Sequence, residues 1–163
     1  MKKHGFSIIE LMVVIVIMGV LAAVAVPKLF GFMAKSKASE LPIAAGTYIK
    51  LQDSYIHEHS KTGNWQEIGY KSPAGNSTGK ANSSTFEYDA SQSTYNWTAK
   101  SLVTLNDCAK GSTWFINYKF DSAPLQIVYW ASSDNLIHCL NALTPTFKNL
   151  STTATAITTA GGE

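Results

Sequence analysis

The sequence contains no arginine: all 13 of its basic residues are lysines, so the planar bidentate fork that proteins use to hold phosphate and carboxylate groups is missing. Against 11 acidic residues the formal net charge is only +2, and scattered lysines of this kind argue against a dedicated nucleic-acid surface. Lys61, Lys71 and Lys80 do not make a patch from sequence alone, and nucleic acid as a partner stays open. Cysteine is scarce too, since Cys108 and Cys139 are the two present; that excludes a disulfide-dense scaffold and a four-cysteine zinc module. Charged residues make up 15% of the chain and apolar ones 45%, a balance that excludes disorder driven by charge for the chain as a whole. At 163 residues there is room for one ordinary domain and an appendage.

The apolar residues crowd at one end. Leu11 to Pro27 runs 17 residues without a charge, with Glu10 before it and Lys28 after it. At ~1.5 Å per residue this run reaches ~25 Å, and the largely apolar flanks Phe6 to Ile9 and Leu29 to Met33 extend it enough to span a hydrocarbon core of ~30 Å. Lys2, Lys3 and His4 precede it, so the positive-inside rule keeps that end cytoplasmic and places the chain beyond Lys28 on the outer face. Ala22-Ala23-Val24-Ala25 offers a secretory cleavage site. Glu10 speaks against that reading, because a carboxylate at membrane depth is costly and an ordinary signal peptide has no use for one. Its place in a first helical turn, where the dipole favours an anion, softens the objection.

The order Lys2-Lys3-His4-Gly5-Phe6-Ser7-Ile8-Ile9-Glu10-Leu11, followed by the apolar run with Gly19 and Pro27, resembles a type IV prepilin. The resemblance covers about the first 30 residues. It implies that a prepilin peptidase cuts between Gly5 and Phe6 and methylates the new amine while the apolar segment stays attached. The implied organisation is a cleaved leader over 1–5, a transmembrane and filament-core helix over 6–33, and the remainder of the helix with a globular head over 34–163. The implied fold class is α+β, a long N-terminal helix packed on a small antiparallel sheet. The implied function is a structural subunit, a major pilin, whose partners are further copies of itself, the prepilin peptidase, the pilus assembly machinery and, before assembly, the inner membrane. No cofactor and no small-molecule substrate is implied. Glu10 would serve assembly by pairing with a neighbouring subunit's amine. The cysteine pair and the lack of an obvious acidic calcium loop favour a major pilin over a type II secretion pseudopilin or a minor pilin. A membrane-anchored enzyme or binding domain is the alternative from another class, and a filament-tip binder of DNA or surfaces is a third.

Beyond Pro27 the pattern becomes one-sided. Leu41, Ala44, Tyr48, Leu51 and Tyr55 form a single helical stripe, with Lys37, Glu40, Lys50, Asp53 and Glu58 off it. This predicts helix from Phe6 to about His59, with Gly19, Pro27 and Pro42 as its weak points; neither proline can donate to the carbonyl four residues back, so a kink or local unwinding is expected at each. Lys71 to Ser84 reads as a long loop. Strands are expected at Thr85 to Tyr88, Tyr95 to Val103, Thr113 to Phe120, Leu125 to Trp130 and Leu136 to Leu140, three to five of them forming an antiparallel sheet on the helix stripe. Asp121-Ser122-Ala123-Pro124 suits a hairpin connection, and 151–163 suits a frayed tail or a weak edge segment.

Cys108 and Cys139 both fall in the part expected to face an oxidising compartment, so a disulfide is the natural reading, with two buried free thiols as the alternative; pilins that resemble this chain often staple a C-terminal loop in this way. Gly75-Asn76-Ser77-Thr78-Gly79 spells a nucleophile elbow but lacks the flanking strand and helix that the elbow needs. His57-Glu58-His59 places its imidazoles ~200° apart on a helix, too far round to share an ion. Asp134 and Asn135, with Ser132 and Ser133, offer calcium-type oxygens of a kind common in any turn. The 18 aromatic residues are read as core volume. The serines and threonines over 72–98 and 144–159 suit glycan attachment or simple solubility.

Overall fold

Two helices come first in the chain. In the computed structural model, which describes residues 5–91, 96–122 and 125–152, α1 spans Ile8–Ala38 and α2 spans Glu40–His59. The chain divides into two units, Met1–Met33 and Ala34–Glu163. α1 stays helical through Gly19 and Pro27. The interruption falls at Ser39, whose φ of −63° and ψ of −17° remain right-handed helical. Pro42 accounts for it: lacking an N–H, it cannot complete the bond to the carbonyl of Ala38, and it is tolerated within the first turn of the helix that restarts at Glu40. Ser39 itself is held from behind, its N–H donating to the Lys35 carbonyl at 3.0 Å and its hydroxyl to the Ser36 carbonyl at 2.7 Å. α2 ends at Ser60, which turns left-handed with φ 52° and donates its N–H to the Ile56 carbonyl at 2.8 Å.

The buried face of α2 is Leu41, Ala44, Ala45, Tyr48, Gln52 and Ile56. This corrects the expected stripe, since Leu51 and Tyr55 are only half-buried and the face turns by one position toward its C-terminal end. A polar residue takes the vacated place because its amide is fully used. In the orientation that satisfies both atoms, the Gln52 side chain donates to the Gly63 carbonyl and accepts from the Gly63 N–H, each at 3.0 Å. Only glycine fits there, for a Cβ would come within 2.8 Å of Ile68 Cγ2. The off-stripe residues are not all solvated either. Glu40 accepts the Tyr88 hydroxyl at 2.6 Å, and Asp53 accepts the Tyr129 hydroxyl at 2.7 Å.

The sheet is a five-stranded antiparallel meander, β1 to β5 in chain order: β1 Lys80–Asn82, β2 Phe86–Asp89, β3 Trp97–Ser101, β4 Thr113–Ser122 and β5 Leu125–Ser133. Four of these fall on expected segments. β1 lies inside the stretch expected to be loop; it has no apolar pattern of its own and is fixed by its neighbour, with Lys80 reaching Asp89 at 3.3 Å and Glu87 at 3.7 Å. Pairing of β4 with β5 runs to Ser122 opposite Leu125, and the hairpin residues Ala123 and Pro124 lie outside the described residues, as does Tyr95. Leu136 to Leu140 is not a strand. Leu136–Asn141 forms a π-helical turn, capped by the Asn135 side chain, which accepts the His138 N–H at 3.0 Å. Its five-residue hydrogen bonds, Leu140 N–H to the Asn135 carbonyl at 3.0 Å and Ala142 N–H to the Ile137 carbonyl at 3.2 Å, turn Cys139 and Leu140 inward and leave Ile137 exposed.

The α2 face meets Phe86, Tyr88, Trp97, Trp114, Ile116 and Tyr129 of the sheet in one core, which is the α+β architecture of helix on sheet. The large rings find partners for their polar atoms. Trp97 Nε1 donates to the Tyr70 hydroxyl and Trp114 Nε1 to the Thr144 hydroxyl, both at 2.9 Å. Cys108 and Cys139 form a disulfide, both fully buried, tying the β3–β4 connection to the π-helical turn. The expected tail begins as an edge segment: Thr152 donates its N–H to the Tyr129 carbonyl at 3.1 Å, and the Ser151 hydroxyl accepts from Ala131 at 2.9 Å. Residues 153–163 lie outside those described.

Candidate assembly and processing segment

Residues 5–7 precede α1 and are not helical. Gly5 stands in open space, and Phe6 is 87% exposed. The helix starts where it does because Ser7 opens it and Glu10 closes the first turn. The Glu10 carboxylate accepts the Ser7 N–H through Oε2 at 3.0 Å, and the Ser7 carbonyl accepts from Leu11 at 3.3 Å. This is the glutamate's half of a capping box, the third helical residue reaching back to the amide of the residue before the helix. Sequence reasoning placed Glu10 in the first turn but missed its partner; the signal was legible in Ser7-Ile8-Ile9-Glu10, a serine and a glutamate three apart ahead of an apolar run.

Between Ile8 and Val26 every large apolar side chain is at least 49% exposed. The segment is apolar on all sides. It belongs to a helix long and apolar enough to cross a membrane. Ile9, Met12, Val13, Val16 and Ile17 line a shallow groove on it that is purely apolar. Gly19 has nothing within 4 Å of the place a Cβ would take, so within the single chain nothing requires glycine there.

The other candidate sites are absorbed by local structure. His59 stacks on Tyr55 with ring centroids 4.2 Å apart, and among the described residues no group of three or more His, Cys, Asp or Glu is placed to hold a metal ion. Asp134 accepts the Thr113 N–H through one oxygen at 2.9 Å and the Ser133 hydroxyl through the other at 3.4 Å, Asn135 caps the π-helical turn, and the Ser132 hydroxyl is buried with no partner among the described residues. The Gly75–Gly79 run is a turn in which Asn76 donates to the Gly79 carbonyl at 3.0 Å and accepts from the Ser72 hydroxyl. A cavity of about 240 Å³ in the head is walled by Tyr48, Trp65, Asn96 and Tyr118. No carboxylate, histidine or cysteine among the described residues lines it. Burial, followed by donation to Glu40 and Asp53, raises the hydroxyl pKa of Tyr88 and Tyr129; burial also raises that of Tyr48 and Tyr70. The Tyr88 and Tyr129 hydroxyls are neutral donors that position α2, while that of Tyr70 accepts from Trp97 Nε1.

Residues 1–26 match the prokaryotic N-terminal methylation motif. The N-terminal part of the chain is similar to type IV pilins. It is 37% identical over 79 residues to the type IV major pilin protein PilA of Myxococcus xanthus, a match covering 48% of this chain and 36% of that protein. It is 39% identical over 82 residues to the type IV major pilin protein PilE1 of Neisseria gonorrhoeae, again covering 48% of this chain and 36% of the relative. With the type IV major fimbrial protein FimA of Dichelobacter nodosus it shares 41% identity over 53 residues, 32% of this chain and 33% of that one. The matched stretch therefore spans only about a third of the length of these curated relatives. The pilin-like motif ends within α1, one residue before Pro27.

Proposed function

We propose that the chain is a major pilin, a structural subunit that is inserted in the inner membrane, loses residues 1–5 to a prepilin peptidase, is methylated at Phe6 and polymerises with further copies into a surface type IV pilus. The observation that carries this reading is the exposed, all-round apolar segment Ile8 to Val26 lying within the methylation motif. Such a surface is stable only where water is absent, first among lipid tails and then among the same segments of other copies, where close packing replaces lipid contacts. The similarity to relatives named as major pilins and fimbrial proteins supports the same reading. Glu10 serves assembly, Gly5 and Phe6 serve processing, and Gly19, Pro27 and Pro42 supply helix adaptability.

Abundance distinguishes this function from its neighbours. A major pilin dominates a fraction of filaments sheared from the cell surface, whereas a minor pilin or a secretion pseudopilin is nearly missing from it. Glu10→Val leaves insertion, leader removal and head folding intact but sharply reduces filaments. Normal filament number in that strain would confine Glu10 to its cap.

A further inference from the structure

Buried polar groups are almost always hydrogen-bonded. In the head, the hydroxyls of Tyr70, Tyr88 and Tyr129 obey that rule. Tyr48 does not: it is 1% exposed, and among the described residues its hydroxyl has no hydrogen-bond partner. The same side chain forms part of the wall of the cavity of about 240 Å³. We infer that this cavity is a binding site for one neutral sugar ring, free or at the end of a longer saccharide, with the Tyr48 hydroxyl as one of its polar contacts. The site lies wholly within the head and is independent of the pilin reading.

The chemistry of the wall selects the ligand. Tyr48, Trp65 and Tyr118 supply rings, while Thr62, Asn64 and Asn96 supply polar groups. Asn96 spends Oδ1 on the Tyr118 N–H at 3.2 Å, and Asn64 spends its own on the Glu67 N–H at 2.9 Å. The two amide nitrogens and the hydroxyls of Tyr48, Thr62 and Tyr118 have no hydrogen-bond partner among the described residues. A charged ligand would meet no counter-ion, since no charged side chain among the described residues lines the cavity. A wholly apolar one would leave these donors unpaired. A neutral sugar carries both a C–H face for the rings and hydroxyls that donate and accept. The volume lies below the ~300 Å³ at which pockets for drug-sized ligands begin, so it suits one ring. The walls are also held in advance: Gln52 clasps both backbone atoms of Gly63, and Trp65 Nε1 donates to the Asn96 carbonyl at 2.9 Å. A site ordered before binding has less freedom to lose when the ligand enters.

The test is a titration of the full-length chain, held in micelles of a detergent without a sugar headgroup, followed by the NMR signals of the Trp65 indole N–H and the Asn96 side-chain amide. The probes are the methyl glycosides of glucose, galactose, mannose and N-acetylglucosamine, with glucuronate, cyclohexanol and uracil as charged, apolar and flat heteroaromatic controls. At least one glycoside is expected to shift both signals saturably while the controls leave them in place. No shift with any glycoside, or an equal shift with a control, would overturn the site. Tyr48→Phe removes only the hydroxyl, so it is expected to weaken the tightest glycoside about tenfold, as loss of one buried hydrogen bond requires, with the melting temperature of the head not lowered. Equal affinity in wild type and Tyr48→Phe would overturn the assignment. Should Tyr48→Phe fail to fold, Thr62→Val is read in the same way. The disaccharide carrying the tightest-binding ring at its non-reducing end separates the two sources: undiminished affinity assigns the ring to a chain end, and loss of binding assigns a free sugar.

Discussion

Tyr88 and Tyr129 set the position of α2 with single atoms. Each hydroxyl rises from a strand and donates to a carboxylate on the helix, Glu40 at one end and Asp53 thirteen residues on. Neither acid was legible as a partner, because both fall off the apolar stripe and a carboxylate on a polar helix face ordinarily meets water. Gln52 was illegible for the opposite reason: its burial depends on Gly63, which the chain brings back from beyond the end of the helix. The tyrosines make a pH prediction. Burial raises the hydroxyl pKa of Tyr48, Tyr70, Tyr88 and Tyr129 above the usual value of about 10. A group whose folded-state pKa is raised contributes stability that is fully present below its unfolded value and is lost as pH climbs past it. The head should therefore be insensitive to these groups up to about pH 10 and lose stability above it. Following tyrosinate absorbance and circular dichroism together through that range, the expected outcome is that these four ionise in one step with unfolding. Their titration near pH 10 with the fold intact would contradict the burial.

At the scale of elements, legibility tracks how much of each signal is local. β4 and β5 carry long patterned runs, and β3 places Trp97 and Ala99 on the inner face, so their positions followed from the chain alone. β1 has three residues, none large and apolar, and exists because β2 offers a partner and two acids for Lys80. The run Leu136 to Leu140 is short and apolar, a length at which strand and helix look alike; Asn135 and the disulfide at Cys139 decide it as a helical turn. That disulfide matters for the small head. It closes a separation of 31 residues, for which chain entropy gives about 4 kcal/mol. Replacing either Cys108 or Cys139 with serine should lower unfolding stability by a few kcal/mol, as should reduction of the wild type, measured by denaturant titration of the full-length chain in detergent. Coincident curves for oxidised and reduced protein would show that the bridge does not stabilise the fold.

For the whole molecule, the methylation motif and the apolar run were the most legible part, because such a motif is contiguous and is read without tertiary context. The large apolar residues from Ile8 to Val26 are exposed, and under the proposed function their surface is covered first by lipid and then by other copies. The central claim is that this segment survives processing and enters a filament. Intact-mass measurement of the major protein in a sheared-filament fraction tests it most directly. The account predicts 158 residues, the 163 of the full chain less five, beginning at Phe6 and carrying one added methyl group. A mature chain beginning after Ala25, with the apolar run removed, would contradict it.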